Sequence, residues 1–324
     1  MFKITWEKTS AIHEVPPETI NKMAAAAFPD KTFSHYKVIA GGCANINIKI
    51  YFQNESDPKI LRVYFRDKSA VYREKKLSTL LKDSVPLPIL HYTGKMDDYF
   101  FAITDFIHGI PLRELMLGNE SYDMQAIMHD VGLTLLKINS FKFAQSGFFD
   151  NQLKIITNSS NNNNLMAHAD ECLQGDNVNT VLGAKIILQI HDCLNKCRHL
   201  LPKQEESNLV HGDFDPSNIF IDRTNGRWKI TGVLDWEFAF SGSSLWDIAN
   251  MLRYAHKMPK EFQNAFINAL VKGGMQLPTN WEDTTHLLNL LALLDCLKRA
   301  NAEIQPNQCK DVYELIEYNL QRLT

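Results

Sequence analysis

Between residues 211 and 220 the sequence reads HGDFDPSNIF, which brings His211, Asp213, Asp215 and Asn218 close together along the chain. A further acid, Asp235, ends the next short apolar run, ITGVL. Phosphoryl transfer asks for a carboxylate to orient or deprotonate an acceptor, oxygen ligands for a metal on the phosphates, and a backbone cradle. This stretch can supply the first two. Asp213 follows the apolar NLV, where a chain leaves a sheet, and Pro216 sits inside a tight turn ending at Asn218. If the strands flanking the turn pair as a hairpin, Asp213, Asn218 and Asp235 emerge on the same side. Two carboxylates and an amide oxygen then suit one or two hard Mg²⁺ ions. The competing reading is that Asp213 and Asn218 cap turns and Asp235 caps a following helix.

The elements that would position these groups fall into two parts. In the first hundred residues HYKVIAGG, NINIKIYF, KILRVYF and YFFAITDF are rich in β-branched and aromatic residues and are separated by turn formers, so they predict strands. PPETINKMAAAAFPD predicts a helix opened by proline, and AVYREKKLSTLLKD predicts another, with Val71, Leu77, Leu80 and Leu81 at helical spacing. SVPLPIL reads as extended, because proline disfavours helix in the residue before it. From RELMLG onward helix periodicity dominates, apart from a strand pair around 209 to 234. NSSNNNN (158–164) reads as a mobile loop. The expected architecture is α+β and bilobal: a small antiparallel-sheet lobe over 1–107 and a larger helical lobe over 108–324, joined near IHGIPL. A ligand belongs in the cleft between them.

The motif His-Gly-Asp-x-x-x-x-Asn, an apolar strand and then Asp-Trp-Glu resembles the aminoglycoside phosphotransferase family. These are small-molecule kinases with a protein-kinase-like fold, a group that includes macrolide, choline and homoserine kinases. HGDFDPSNIF together with VLDWEFAFSGSSLWDIANMLRY carries the resemblance, and the order of elements extends it over nearly the whole chain. It implies that Asp213 accepts the proton of an acceptor hydroxyl and that Asn218 and Asp235 bind Mg²⁺. It also implies that His211 braces the loop, with Trp246 and Asp247 structural at the head of the next helix. Asp215 stands where many members carry histidine or asparagine, so neither it nor Glu237 is assigned a role.

On the same template IAGGCANINIKI joins two strands through a glycine turn. There Gly41 and Gly42 allow close backbone approach to an anion, with Ala44 and Asn45 at the tip. No Gly-Lys-Ser/Thr follows, so this is not a Walker loop. Arg62 in KILRVYF lies in the phase of the family's lysine, and Glu74 in YREKKL is its expected partner; arginine keeps the charge and can fork between carboxylate and phosphate. The backbone at Asp105 and Ile107, in the hinge TDFIHG, is the expected grip on a purine, of ATP or of GTP. Cys43 reads as an inert small residue, with no neighbouring cation in the sequence to lower its pKa. Asn139 stands where the family often has a structural histidine.

Composition bounds the rest. The chain has 324 residues, 45% hydrophobic and 22% charged, with a net charge of -3. That balance gives no reason to expect bulk binding to nucleic acid or an anionic membrane. MFKITWEKTS lacks the apolar core of a signal peptide, and LLNLLALLDCL is too short to span a bilayer. Six cysteines in a chain of this length do not make a disulfide framework, so a cytoplasmic location is expected. Cys193 and Cys197, with His191 or His199, could share a metal on one helix face, but the amphipathic helix around them favours packing. Asp170, Glu171 and Asp176 could greet a cationic acceptor or form a solvated face. The favoured reading is a Mg²⁺-dependent small-molecule kinase, monomeric by default. The alternatives are a nucleotide-binding pseudokinase, against which Asp213, Asn218 and Asp235 argue, and a protein kinase. For the last, no Asp-Phe-Gly or Ala-Pro-Glu brackets an activation loop.

Overall fold

A computed structural model describes residues 1–7, 14–39, 45–156, 162–203 and 205–324, without the side chains of 162–164. Helix α1 (Pro17–Ala27) precedes strands β1 (Phe33–Ile39), β2 (Asn45–Phe52) and β3 (Lys59–Tyr64). Helix α2 (Ala70–Leu81) then leads to β4 (Leu90–Met96) and β5 (Tyr99–Asp105). The five strands form one antiparallel sheet in the order β1-β2-β3-β5-β4. Side chains alternate across a strand, and here that alternation divides packing from chemistry. Ile48, Ile50 and Phe52 of β2 and Leu61 and Val63 of β3 pack on Ile20, Met23 and Ala24 of α1. The opposite phase, with Asn47 paired to Arg62, lines the cleft. Strand β4 is absent from the strands that the sequence pattern predicts. Its LHYTGKM is nowhere fully buried, so no alternating apolar signal marks it.

The chain continues through β6 (Ile110–Pro111), α3 (Leu112–Leu117), α4 (Met124–Asn139), β7 (Gly147–Phe148), α5 (Asn162–Leu173) and α6 (Asp176–Cys197). Short strands β8 (Asn208–Val210), β9 (Ile219–Thr224), β10 (Arg227–Val233) and β11 (Phe240–Gly242) follow, then α7 (Leu245–Leu252), α8 (Lys260–Lys272), α9 (Trp281–Arg299) and α10 (Pro306–Leu323). The apolar run of α9 is the core of this part: Leu287, Leu288, Leu290, Leu293 and Leu294 are all buried, with α5, α6, α7 and α10 packed around them. A helix that is apolar on most sides needs such an envelope. Among the described residues no helix is long and apolar enough to cross a membrane. Helices α4 and α8 approach closely at Gly132, where a Cβ would lie 2.7 Å from Ala269 Cβ and 2.8 Å from Phe266 O.

Three local expectations change. Residues 158–161 lie outside the described residues, and from Asn162 the chain is already helical in α5. The strands flanking the 211–218 turn do not pair with each other: β8 pairs with β11, whereas β9 pairs with β10 and β6. The first seven residues lie on the helical part, not on the five-stranded sheet. Phe2 is buried there, its ring 5.2 Å from Tyr254 and 6.2 Å from Phe262.

Candidate active site

A cavity of about 1380 Å³ lies between the open face of the five-stranded sheet and the helical part, and the 211–218 turn forms its floor. The turn starts where β8 ends. Gly212 adopts φ +82°, and a Cβ there would meet Phe238 O at 2.4 Å, so this corner demands glycine. The buried carboxylate of Asp247, in the first turn of α7, accepts from the backbone N–H of His211 at 2.9 Å and of Gly212 at 3.0 Å. Burial pushes the Asp247 carboxyl up to about 7, although those two bonds favour its ionised form.

His211 is fully buried and engaged at both ring nitrogens. Nε2–H donates to Leu234 O at 2.9 Å, and Nδ1 accepts from the Asp213 N–H at 3.2 Å. One donor and one acceptor describe a neutral imidazole. Burial holds its pKa below the usual value, outweighing the nearby Asp213 and Asp235. The ring therefore braces the loop and is in no position to react.

The three oxygen-bearing residues of the motif converge, though by a route other than a hairpin. Asn218 Nδ2 donates to the Asp213 carbonyl at 2.9 Å and to Asp213 Oδ2 at 3.0 Å. The Asn218 carbonyl accepts from Leu234 N–H at 2.9 Å, next to the β9–β10 pair Ile219–Val233, which sets Asp235 beside it. Asp235 turns out of β10 with left-handed backbone, φ 68° and ψ 60°. Burial alone would raise the carboxyls of Asp213 and Asp235. Lys3 beside the first and Arg62 beside the second reverse this and hold both below the ordinary carboxylate range. With Nδ2 of Asn218 committed to Asp213, its Oδ1 and the Asp235 carboxylate make a hard oxygen donor set, which fits Mg²⁺.

Above the turn, β3 presents Arg62. Its Nη2 lies 2.7 Å from Asp235 Oδ1, 3.8 Å from Glu237 Oε2 and 3.9 Å from Glu74 Oε1. Glu74 is bound more tightly to Tyr64, whose hydroxyl donates to Oε2 at 2.7 Å. Burial raises the Glu74 carboxyl, with Arg62 opposing. Gly41, Gly42, Cys43 and Ala44 lie outside the described residues. Asn45, expected at the tip of that turn, is the first residue of β2, and its side chain joins Glu237 Oε2 at 3.0 Å and Phe65 N–H at 3.2 Å. Asp105 and Ile107 both line the cavity. The Asp105 N–H bonds Ile89 O, so from its backbone only the carbonyl can turn to a ligand.

Several residues that the sequence pattern leaves unmarked join them. Glu237 of the Asp-Trp-Glu run receives Arg66 at 2.6 Å, and its carbonyl accepts from Arg73 at 2.9 Å. Lys3 pairs with Asp213 at 2.8 Å and with Asp215 at 2.5 Å. Arg253, buried, bonds Asn289 at 3.0 Å and Asn250, which in turn donates to Gly212 O. Asp170, Glu171 and Asp176 do not line the cavity; that wall carries Lys3, Arg253 and Arg299 against Asp295 and Glu7. Cys193 and Cys197 are buried in α6, in contact with each other, as packing predicts. His168, Cys172 and Asp295 bring one donor atom each within 4.8 Å, a group that the sequence spacing does not reveal because α5 and α9 supply it jointly.

Comparison with known proteins agrees with this arrangement. No curated protein sequence matches the chain. Among solved structures, aminoglycoside phosphotransferase APH(4)-Ia is 18% identical with a TM-score of 0.72, over 94% of this chain and 99% of that one. The GDP complex of aminoglycoside 2'-phosphotransferase-IIIa is 15% identical with a TM-score of 0.74, over 96% and 100%. An APH(4)-Ia variant bound to AMP-PNP and hygromycin B is 19% identical with a TM-score of 0.69, over 94% and 98%. Likeness at these identities establishes the bilobal α+β fold. Residues 35–283 match the model of the phosphotransferase enzyme family, which covers both the sheet and the motif. By that match, and with the cleft built as described, the chain belongs to the phosphotransferase enzyme family.

Proposed function

We propose that this phosphotransferase moves the γ-phosphoryl group of ATP or GTP, with Mg²⁺, to a hydroxyl of a small molecule. The observation that supports this best is the Asp213–Asn218 contact at 3.0 Å, with Asp235 beside it and Arg62 reaching in from the sheet at 2.7 Å. Asp213 orients the acceptor hydroxyl and takes its proton. Arg62 binds phosphate oxygens, and the backbone near Asp105 and Ile107 grips the base; Asn45 and Glu74 keep the strand and its arginine in place. Gly41, Gly42 and Ala44, outside the described residues, keep the phosphate-binding role that the family resemblance implies. Asn218 and Asp235 would hold Mg²⁺, which supplies charge neutralisation on the phosphates when bound. Catalysis is then mostly positioning and electrostatic stabilisation. The lobes divide at 107/108, apart from the first seven residues, and a cytoplasmic monomer without nucleic-acid or membrane partners fits this reading.

The test is direct. Mg·ATP or Mg·GTP should raise the thermal midpoint. Nucleoside diphosphate release should appear with at least one acceptor among hygromycin B, gentamicin, choline and sugar alcohols. Asp213→Asn should abolish release while keeping the nucleotide-induced thermal shift. Turnover that survives this change removes Asp213 from the mechanism.

A further inference from the structure

We propose that Lys3 is a positioning residue for phosphoryl transfer, held at Asp213 by Asp215, so that the opening segment of the chain completes the catalytic loop. This rests on the phosphotransferase reading of the same site. Lys3 Nζ spans Asp213 Oδ1 at 2.8 Å and Oδ2 at 3.1 Å, and also reaches Asp215 Oδ2 at 2.5 Å. The other oxygen of Asp215 accepts the Ser217 N–H at 2.7 Å and the Ser217 hydroxyl, so Asp215 itself cannot swing. Asp215 is 4% exposed, which makes it a buried carboxylate whose counter-charge is Lys3.

The segment that carries Lys3 is built in. Phe2 is buried against Tyr254 and Phe262. Trp6 Nε1–H donates to Asp311 at 2.9 Å, and the Glu7 carboxylate accepts from the N–H groups of Asn307 at 2.8 Å and Gln308 at 3.1 Å, at the start of α10. Phe2 and Lys3 both adopt left-handed backbone, φ 49° and 59°, which residues with a Cβ hold only when their surroundings impose it.

The consequence for Asp213 is orientational. An ionised carboxylate offers about four lone-pair sites. Lys3 and Asn218 occupy three: one on Oδ1 by Lys3, and two on Oδ2 by Lys3 and Asn218. One site on Oδ1 remains for the acceptor hydroxyl. In the transfer step the acceptor oxygen bonds to the γ-phosphorus. The bond from that phosphorus to the bridging oxygen breaks, its electron pair leaves with the nucleoside diphosphate, and the hydroxyl proton passes to Oδ1. Lys3 keeps that oxygen pointed at the acceptor, while Arg253 approaches the same loop from the end of α7.

The experiment measures nucleoside diphosphate release from Mg·ATP and Mg·GTP, with water and with hygromycin B as probe acceptors. Lys3→Met should lower kcat about 100-fold, the scale of a misplaced reacting group, with an unchanged KM for the nucleotide. Lys3→Arg should restore most of the rate, and Asp215→Asn should reproduce the loss. The double variant Lys3→Met/Asp215→Asn should lose no more than either alone, since the two act as one unit. If Lys3→Met folds poorly, the Lys3→Arg rescue and the Asp215→Asn loss decide instead. An active wild type with unchanged kcat in Lys3→Met overturns the proposal. A raised kcat also overturns it, because Lys3 would then block the acceptor. A wild type that releases no diphosphate under any condition overturns the phosphotransferase reading, and this one with it.

Discussion

Arg62 and Asp235 meet across the cleft, Nη2 to Oδ1 at 2.7 Å, one from the third strand of the sheet and one from the end of β10. The guanidinium also lies 3.9 Å from Glu74 and 3.8 Å from Glu237, whose closer cation is Arg66 at 2.6 Å. Three carboxylates therefore share one arginine, and a divalent ion held by Asp235, as proposed, would compete with it for the same oxygen.

Arg62→Met removes that shared cation. The variant should lose about 1–3 kcal/mol of stability in chelator, less than a fully buried pair would cost because solvent reaches Asp235. Mg²⁺ should return more of that loss to the variant than it adds to the wild type. Urea melts with and without Mg²⁺ measure both effects. The KM for nucleotide should also rise about tenfold or more, the cost of one charge-assisted hydrogen bond. Equal Mg²⁺ stabilisation in both proteins would separate Arg62 from the metal site.

Glu237 ties the sheet to the end of the motif. Its carboxylate receives Arg66 and Asn45, and its carbonyl receives Arg73. Burial raises its pKa, as does Asp235, and the arginines oppose this. Glu237→Ala leaves Arg66 and the Asn45 amide without this acceptor. The expected outcome is about a tenfold weaker nucleotide affinity, from loss of charge-assisted bonds between the lobes. Fluorescent-nucleotide titration reads it. Arg66→Met should give part of the same loss, and in combination the two should be less than additive.

The parts of this site that could be read from the sequence are those that local spacing fixes. Asp213 and Asn218 are separated by a single turn, and Asp235 follows the next strand. The phase of Arg62 follows from alternation along β3. Glu74, on helix α2, is expected only from the family resemblance, which pairs a helix glutamate with Arg62, and nothing in the sequence marks the closer bond it makes to Tyr64. Lys3 was invisible because it reaches Asp213 across 210 positions, and no local pattern marks it. Asp215 could not be assigned for the same reason, since its partner was unknown. Strand β4 escaped because a half-exposed strand lacks the apolar alternation by which strands are recognised. The strands expected to pair as a hairpin around the 211–218 turn pair with other strands instead. Strand β8 is only three residues long, and its partner β11 lies beyond the motif.

The bracing histidine makes the last prediction, a pH dependence of stability. Burial holds His211 below its ordinary value of 6.5, whereas the unfolded chain titrates near that value. Between the two pKa values the unfolded state binds more protons, so stability rises with pH there. The His211 contribution is complete above 6.5 and is lost as pH falls from 6.5 toward the lower folded value. His256 and His286 are shifted down by burial as well and add the same slope. Asp247, pushed up to about 7, contributes the opposite slope between 3.8 and 7, because there the folded state binds the extra proton. The His211 part is therefore read by difference. His211→Gln should be less stable than wild type at pH 7.5, and the gap should narrow as pH falls from 6.5 to 5. Denaturant melts of both proteins across that range measure it. A gap that stays constant with pH would mean that His211 titrates in the fold as it does in the unfolded chain, and a gap that widens as pH falls would mean that the fold favours the protonated ring; either result would remove the buried neutral ring bridging Leu234 and Asp213.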